Sequence, residues 1–246
     1  MAAKPIRALG RGLEVLAALN RLGEATAGAL AAASGVPRPT VYRVLETLRQ
    51  GGYVAAIDER WSLRLGVRAL SDGFEDEEWI TTIAAPALHD LTARIRWPCD
   101  LATLEGTSMV IRVTTHKVAP FSIDRAMLGR ALPVLESAMG LAWLAFAPAA
   151  ERQALLAMLG ARPMARRLAE IRRQGHALRL GGRWPHTASV AVPVMAGGRL
   201  LGCAAAIWMA RAVPPEEGLR QCLAPLRDAV GRIAAGLEGH AARKPP

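Results

Sequence analysis

Only three cysteines stand in the 246 residues, Cys99, Cys203 and Cys222, odd in number and far apart. No C-x-x-C spacing occurs. Neither a zinc site nor a disulfide framework is indicated, and reduced thiols in a cytoplasmic protein are expected. Long apolar runs are missing as well. Stretches such as "AMGLAWLAFA" fall well short of the ~20 residues a membrane span needs. The start, "MAAKPIRALGRGLEVL", lacks a continuous apolar run and a small-residue cleavage site. A soluble chain with no export signal and no membrane partner is expected. Nucleophile elbows, phosphate loops and metal-ligand spacings are absent too, so no cofactor, metal or enzyme activity is predicted. Cys99 and Asp100 with His116 have the residue types of a nucleophile and base, but no pattern fixes their geometry.

What is present is a composition able to fold. Hydrophobic residues make up 52%, enough for a sizeable core. The length allows one large domain or two modest ones. A formal net charge of +10 invites a nucleic-acid reading, but the excess is spread. Residues 1–70 carry ten bases and five acids, "SDGFEDEEWI" (71–80) carries five acids and no base, and 81–246 hold the remaining +10. Arginine supplies 28 of the 31 bases, so base composition of the genome explains the bulk charge as readily as DNA does.

Local pattern is more specific. In "SGVPRPTVYRVLETLRQGGYV" (Ser34–Val54), Val41, Val44, Leu45 and Leu48 recur at one face of a helix. Pro39 suits its first turn, and Gly51-Gly52 ends it in a left-handed cap. Arg38, Thr40, Arg43 and Thr47 are left along an exposed edge, with Tyr42, Glu46 and Arg49 opposite the core. Before this helix, Leu9, Leu13, Leu16 and Leu19 predict a helix over Gly10–Leu22, broken by Gly23. Thr26 is placed to cap a short alanine-rich helix, and Gly35 to turn the chain into the Pro39–Gln50 helix. This is a helix-turn-helix pattern. "YVAAIDERWSLRLG" reads as two strands, Tyr53–Ile57 and Trp61–Leu65, about an Asp-Glu-Arg turn. A hairpin directly behind a recognition helix is a wing, with Arg60 expected at its tip toward phosphate or the minor groove.

Beyond the acidic stretch, "WITTIAAPALHDLTARIR" has helical spacing that Pro86 kinks or divides. The pattern then turns to strands. "CDLATLEGTSMVIRVTTHK" predicts a hairpin about Glu105-Gly106-Thr107. "SVAVPVMAGGRLLGCAAAIWMA" predicts another about Gly197-Gly198, with Pro193 placing its first strand at an edge or bulge. Helices are expected over Ser137–Phe146, Ala149–Leu159, the arginine-rich "PMARRLAEIRRQG" and Glu216–Leu237. Antiparallel strands with segregated helices predict an α+β fold.

These segments resemble the IclR family of bacterial transcription regulators. "IRALGRGLEVLAAL" leading into the recognition helix, "GRALPVLESAMGLAWLAF" and "SVAVPVMAGGRLLG" carry the resemblance over nearly the whole chain. "DGFEDEEWITTIAAPAL", "RWPCDLATL" and "IDRAMLGRALP" are most similar to family members that regulate aromatic-acid degradation. The resemblance implies a winged helix-turn-helix over 1–66, a linker helix over 67–80 and a GAF-like effector domain over 81–246. It implies homodimers or dimers of dimers on a double-stranded DNA operator, RNA polymerase as a further partner, and a small aromatic acid as effector, with activation the expected mode. Alternatives are a repressor, or a C-terminal domain that only oligomerises or senses a non-aromatic acid.

Arg38, Thr40, Tyr42, Arg43, Thr47 and Arg60 are the candidate DNA contacts. Arginine grips guanine O6 and N7, and threonine meets a thymine methyl. By resemblance the effector cavity is walled by Ser137, Ala138, Met139, Ser189, Ala206 and Trp208. His116 and Arg125 at its mouth are candidates for holding a carboxylate. Relatives carry an acid-rich loop before the Ser189 strand; here it reads "ALRLGGRWPHTA", leaving Trp184 and His186 to take its place. The arginines from 162 to 183 read as a solvated face.

Overall fold

In the computed structural model, residues 4–72, 77–124, 126–161 and 164–241 are described. The chain divides into two compact units, 1–75 and 76–246. Each has its own apolar core.

The first unit opens with α1 (Arg7–Leu22), and Thr26 caps α2 (Ala27–Ser34) by accepting a hydrogen bond from Ala29 N at 3.3 Å. Gly35 turns the chain in the left-handed conformation, and α3 (Arg38–Gln50) begins with Pro39 in its first turn. Val41 and Leu45 of α3 are buried against Val15, Leu19 and Leu30 of the two preceding helices. Val44 and Leu48 are only half-buried at the edge of that core. The left-handed residue after α3 is Gly52, not Gly51.

Strands β2 (Val54–Ile57) and β3 (Arg60–Leu63) form the wing hairpin. Asp58 and Glu59 both take positive φ, as a two-residue primed turn demands. Sequence periodicity gave no sign of β1 (Glu24–Thr26), three residues that pair with β3 and complete a sheet of order β1-β3-β2. Leu65, expected in the second wing strand, instead opens the short helix α4 (Leu65–Ala69).

The expected linker helix over 67–80 is corrected. Helix persists only to Ala69, and a turn follows to residue 72. Trp79 and Ile80 belong to the core of the second unit, because both side chains are apolar and buried there. The helical segment beginning at residue 78 passes through a wide π-type turn at Ile80–Ala84 before α5 (Ala85–Ile95). Pro86 has no N–H to return to the preceding turn, which accounts for the division there.

The second unit centres on a six-stranded antiparallel sheet of order β6-β5-β4-β9-β8-β7. Its strands are β4 (Cys99–Glu105), β5 (Ser108–Thr114), β6 (Ala131–Pro133), β7 (Ala177–Leu180), β8 (Thr187–Ala196) and β9 (Arg199–Met209). One face packs on α5 and α9 (Pro215–Ala241) through Leu101, Val190, Ala204, Ala206 and Trp208. The other packs on α6 (Ala138–Phe146) and α8 (Ala165–Gln174) through Ala102, Ala191, Cys203 and Ala205. Helix α7 (Ala149–Met158) adds Leu155 to that second core. The whole is α+β. Pro193 sits in β8 beyond Ala191, where pairing with β7 has ended, and next to a register shift at Val194/Met195. Its missing N–H therefore faces no partner on that side.

Candidate functional site

Two sites emerge, one in each unit. On α3, Arg38, Tyr42, Arg43 and Thr47 are exposed and Thr40 half-exposed. The Arg38 guanidinium donates to Tyr42 Oη at 3.2 Å and lies 5.6 Å from its ring centroid. Thr47 turns back, its hydroxyl donating to Arg43 O at 2.9 Å. Glu46 accepts from Arg49 at 2.8 and 2.7 Å and from Gln50 at 3.1 Å. Those hydrogen bonds, Arg49 first, hold its carboxyl down at about 2. Glu46 is thus occupied within the helix, while Arg43 makes no ion pair or hydrogen bond through its side chain among the described residues. Arg7 and Arg11 of α1 line the same groove as Thr40, Arg43 and Thr47.

The wing differs from expectation in one respect. Arg60 is the first residue of β3, not the tip, because Asp58 and Glu59 alone form the turn. Its guanidinium donates to Glu24 O at 3.3 Å and stands 3.5 Å from the Glu24 carboxylate. The pair is exposed, so it holds the side chain only weakly.

In the second unit a cavity of about 50 Å³ lies between the sheet and the start of α6. Ser137, Ala138 and Met139 line it, as do Ser189 and His116. Ser137 caps α6, its hydroxyl accepting from Gly140 N at 3.1 Å. Arg125 lies outside the described residues. Ala206 and Trp208, expected on the wall, face the opposite core against α9. The cavity residues of β9 are their neighbours Ala205 and Ile207. Side chains alternate along a strand, so an alignment displaced by one residue exchanges the two faces. The apolar wall survives the correction, through Met127, Leu132, Ile207 and Trp184.

Two charged groups in the cavity were not among the residues expected on its wall. Arg179, read as part of a solvated arginine run, is the residue of β7 opposite Ser189. It donates through Nε to Ser189 Oγ, through Nη1 to the carbonyls of Gly181, Trp184 and Thr187, and through Nη2 to Thr187 Oγ1. Its guanidinium lies 5.3 Å from the Trp184 ring centroid. Burial pushes its pKa down to about 10, so it stays a cation at neutral pH, yet among the described residues no carboxylate is its partner. The pairing that would have located it, Arg179 with Ser189, appears only once β7 is known to be a strand.

Asp100 is the second group. It is 1% exposed, and His116 is 4% exposed. His116 Nε2 stands 3.5 Å from Asp100 Oδ2. His116 Nδ1 is 2.7 Å from Ser122 Oγ, whose own proton goes to Asp124 O at 2.7 Å, so Nδ1–H is the donor. Cys99 does not join them. It precedes Asp100 on β4, faces the α5–α9 core and is fully buried, which pushes its thiol pKa far up. Nucleophile and base therefore lie on opposite faces. Among the described residues no group of His, Cys, Asp or Glu is arranged to hold a metal ion, and no helix is long and apolar enough to cross a membrane.

Known proteins share both halves of this architecture. The IclR helix-turn-helix domain matches residues 8–57, and the bacterial transcriptional regulator IclR C-terminal domain matches residues 76–235. The Escherichia coli HTH-type transcriptional regulator RhmR, itself uncharacterized, is 27% identical over 202 residues, 77% of each chain. The IclR structure of Thermotoga maritima superposes with a TM-score of 0.68 at 20% identity, covering 94% of this chain and 99% of that one. An IclR homolog from Microbacterium hydrocarbonoxydans, crystallised with 4-hydroxybenzoate, does so with a TM-score of 0.63 at 21% identity and the same coverage. With its DNA-binding helix, its wing and its C-terminal sheet all accounted for by these matches, the chain belongs to the IclR family of DNA-binding transcriptional regulators.

Proposed function

We propose that the protein regulates an aromatic-acid catabolic operon, as an activator, in response to an aromatic carboxylate held in the cavity of its second unit. The segments "RWPCDLATL" and "IDRAMLGRALP" support this through their similarity to the activator of the hydroxyphenylpropionate catabolic operon. The Microbacterium homolog's ligand lends nothing here, since a 21% likeness carries the fold alone. The observation that carries the effector reading is Arg179, a desolvated cation with no acidic partner among the described residues, facing an apolar cavity. A charge drawn partly out of water gains from a counter-charge, and a ligand carboxylate supplies one with charge-assisted hydrogen bonds. Trp184 and the apolar lining suit a ring.

A second reading has its own support. The cavity, at about 50 Å³, is smaller than the ~150 Å³ cavities that admit benzene. A short aliphatic acid suits that volume, whereas an aromatic acid requires Trp184, His116 or Met127 on the cavity wall to move outward. That outward movement is the source of the regulatory signal, because a ligand shifts an equilibrium only by its differential affinity for two states. On the DNA side, α3 enters the major groove of each operator half-site, paired in a dimer or a dimer of dimers.

The test is a footprint upstream of the protein's own gene, titrated with and without aromatic and short aliphatic acids. The wild-type footprint or its affinity is expected to respond to an aromatic acid. Arg179→Met is expected to bind the same DNA and lose the response. A variant that responds like wild type removes Arg179, and with it the carboxylate reading.

A further inference from the structure

The cavity has a second polar end that a carboxylate does not satisfy. Asp100 Oδ1 and His116 Nε2 are buried and have no hydrogen-bond partner among the described residues. Both residues line the same cavity as Arg179. Leaving such atoms unpaired is costly, and two together at one cavity wall call for a partner.

The sheet register shows where this end lies. Asp100 on β4 pairs with Ala205 on β9, Ile207 on β9 pairs with Ser189 on β8, and Ser189 pairs with Arg179 on β7. Asp100 and Arg179 therefore stand on one sheet face, separated by three strand spacings and by the two residues from Ala205 to Ile207 along β9, ~16 Å between backbones. The apolar side chains of Ala205 and Ile207 form the floor between them. The cation is at one end and the carboxylate–imidazole pair at the other.

The proton inventory fixes what the second end accepts. His116 Nδ1–H is committed to Ser122. Nε2 then either carries a proton toward Asp100 Oδ2 or presents a lone pair to it. In neither state does Oδ1 acquire a donor among the described residues. A carboxylate oxygen only accepts, so the missing group must donate.

We infer that the Asp100–His116 pair is a distinct subsite for a hydroxyl group on the effector, remote from its carboxylate. The hydroxyl donates to Asp100 Oδ1 while the carboxylate meets Arg179. This rests on the cavity being the effector site. It makes the effector class a hydroxylated acid, with the hydroxyl across the ring from the carboxylate or one position short of it. An acid without that hydroxyl leaves Asp100 unpaired and binds more weakly.

The experiment is calorimetry on the full chain with matched probes. Benzoate is compared with 3- and 4-hydroxybenzoate and with their methyl ethers, which keep the oxygen and lose the donor. Propanoate and 3-hydroxypropanoate form a short aliphatic pair. At least one hydroxy acid is expected to bind about tenfold or more tightly than its parent, with the methyl ether losing that advantage. In Asp100→Ala, which removes the acceptor, the hydroxy-to-parent ratio should fall to within about twofold. Arg179→Met should weaken every acid, hydroxylated or not. Acids that bind through Arg179 with no preference for the hydroxyl overturn the subsite and leave the effector reading standing. A methyl ether as good as the hydroxy acid, or a preference untouched in Asp100→Ala, also overturns the subsite. Failure of every acid to bind the wild-type chain overturns the effector reading, and the subsite with it.

Discussion

Arginine is abundant in this chain, and its physical meaning differs from one position to the next. Arg43 is exposed and free of partners among the described residues, on the open edge of α3. Arg179 is desolvated and held by five hydrogen bonds. The first is available to a base edge. Arg43→Ala should cost about 1–3 kcal/mol of specific operator binding if the guanidinium reads a base. The measurement is the ratio of operator to random-sequence affinity at fixed salt, and an equal loss on both makes Arg43 a phosphate clamp. His116 offers a prediction in pH. Its burial lowers its pKa, but the Asp100 carboxylate 3.5 Å away, with a smaller contribution from Asp124, outweighs that and raises it overall. A raised folded-state value means that the folded protein holds this proton more tightly. The stabilisation is complete below the unfolded value of about 6.5 and is lost as pH rises through the folded one. Asp100→Asn removes the main group that raises it. The Tm advantage of the wild type over that variant should therefore shrink with rising pH. A Tm difference that stays flat across the range takes the pair out of the stability balance.

The elements themselves were largely legible, because their signals are local. The leucine spacing of α1, the proline start of α3 and the alternation of β3 each follow from chemistry within a few residues. What failed needed long-range information. β1 and β6 have three residues each, too short for a period, and exist because a neighbouring strand offers hydrogen bonds. Assigning Ala206 and Trp208 to the cavity failed by a single residue of register in β9, which only the pairing of Cys99 with Ala206 and Asp100 with Ala205 resolves. Arg179 was invisible for the same reason. The strand-to-helix turn at Ser137 was found, and the structure shows why its sequence is so constrained. A Cβ on Gly140 would lie 2.2 Å from Val134 O and 2.4 Å from Val134 Cα. Backbone atoms of a buried residue cannot swing aside, so α6 approaches this closely only because residue 140 is glycine. Gly140→Ala should destabilise the fold by about 1–3 kcal/mol through overpacking. Denaturant unfolding of the full chain measures this, and an unchanged midpoint shows that α6 can back away from Val134 freely.

Among the described residues the two units share no core side chain: the α1–α3 core and the two cores flanking the six-stranded sheet are built from different residues. An effector in the second unit that regulates operator binding acts through the equilibrium between states of the whole protein. If an effector changes operator affinity by some factor, linkage requires the operator to change effector affinity by the same factor. Both sides can be measured on the full chain: operator binding with and without saturating acid, and acid binding with and without saturating operator. The expected result is a matched pair of factors, in the ~5–150-fold range typical of allosteric coupling. Arg179→Met is expected to lose the acid half of the cycle while keeping basal operator affinity, since it lies in the unit that does not carry α3. Two factors of one, with acid and operator each bound, would mean that the acid leaves DNA affinity untouched and that its signal passes instead through contact with RNA polymerase on an operator already occupied.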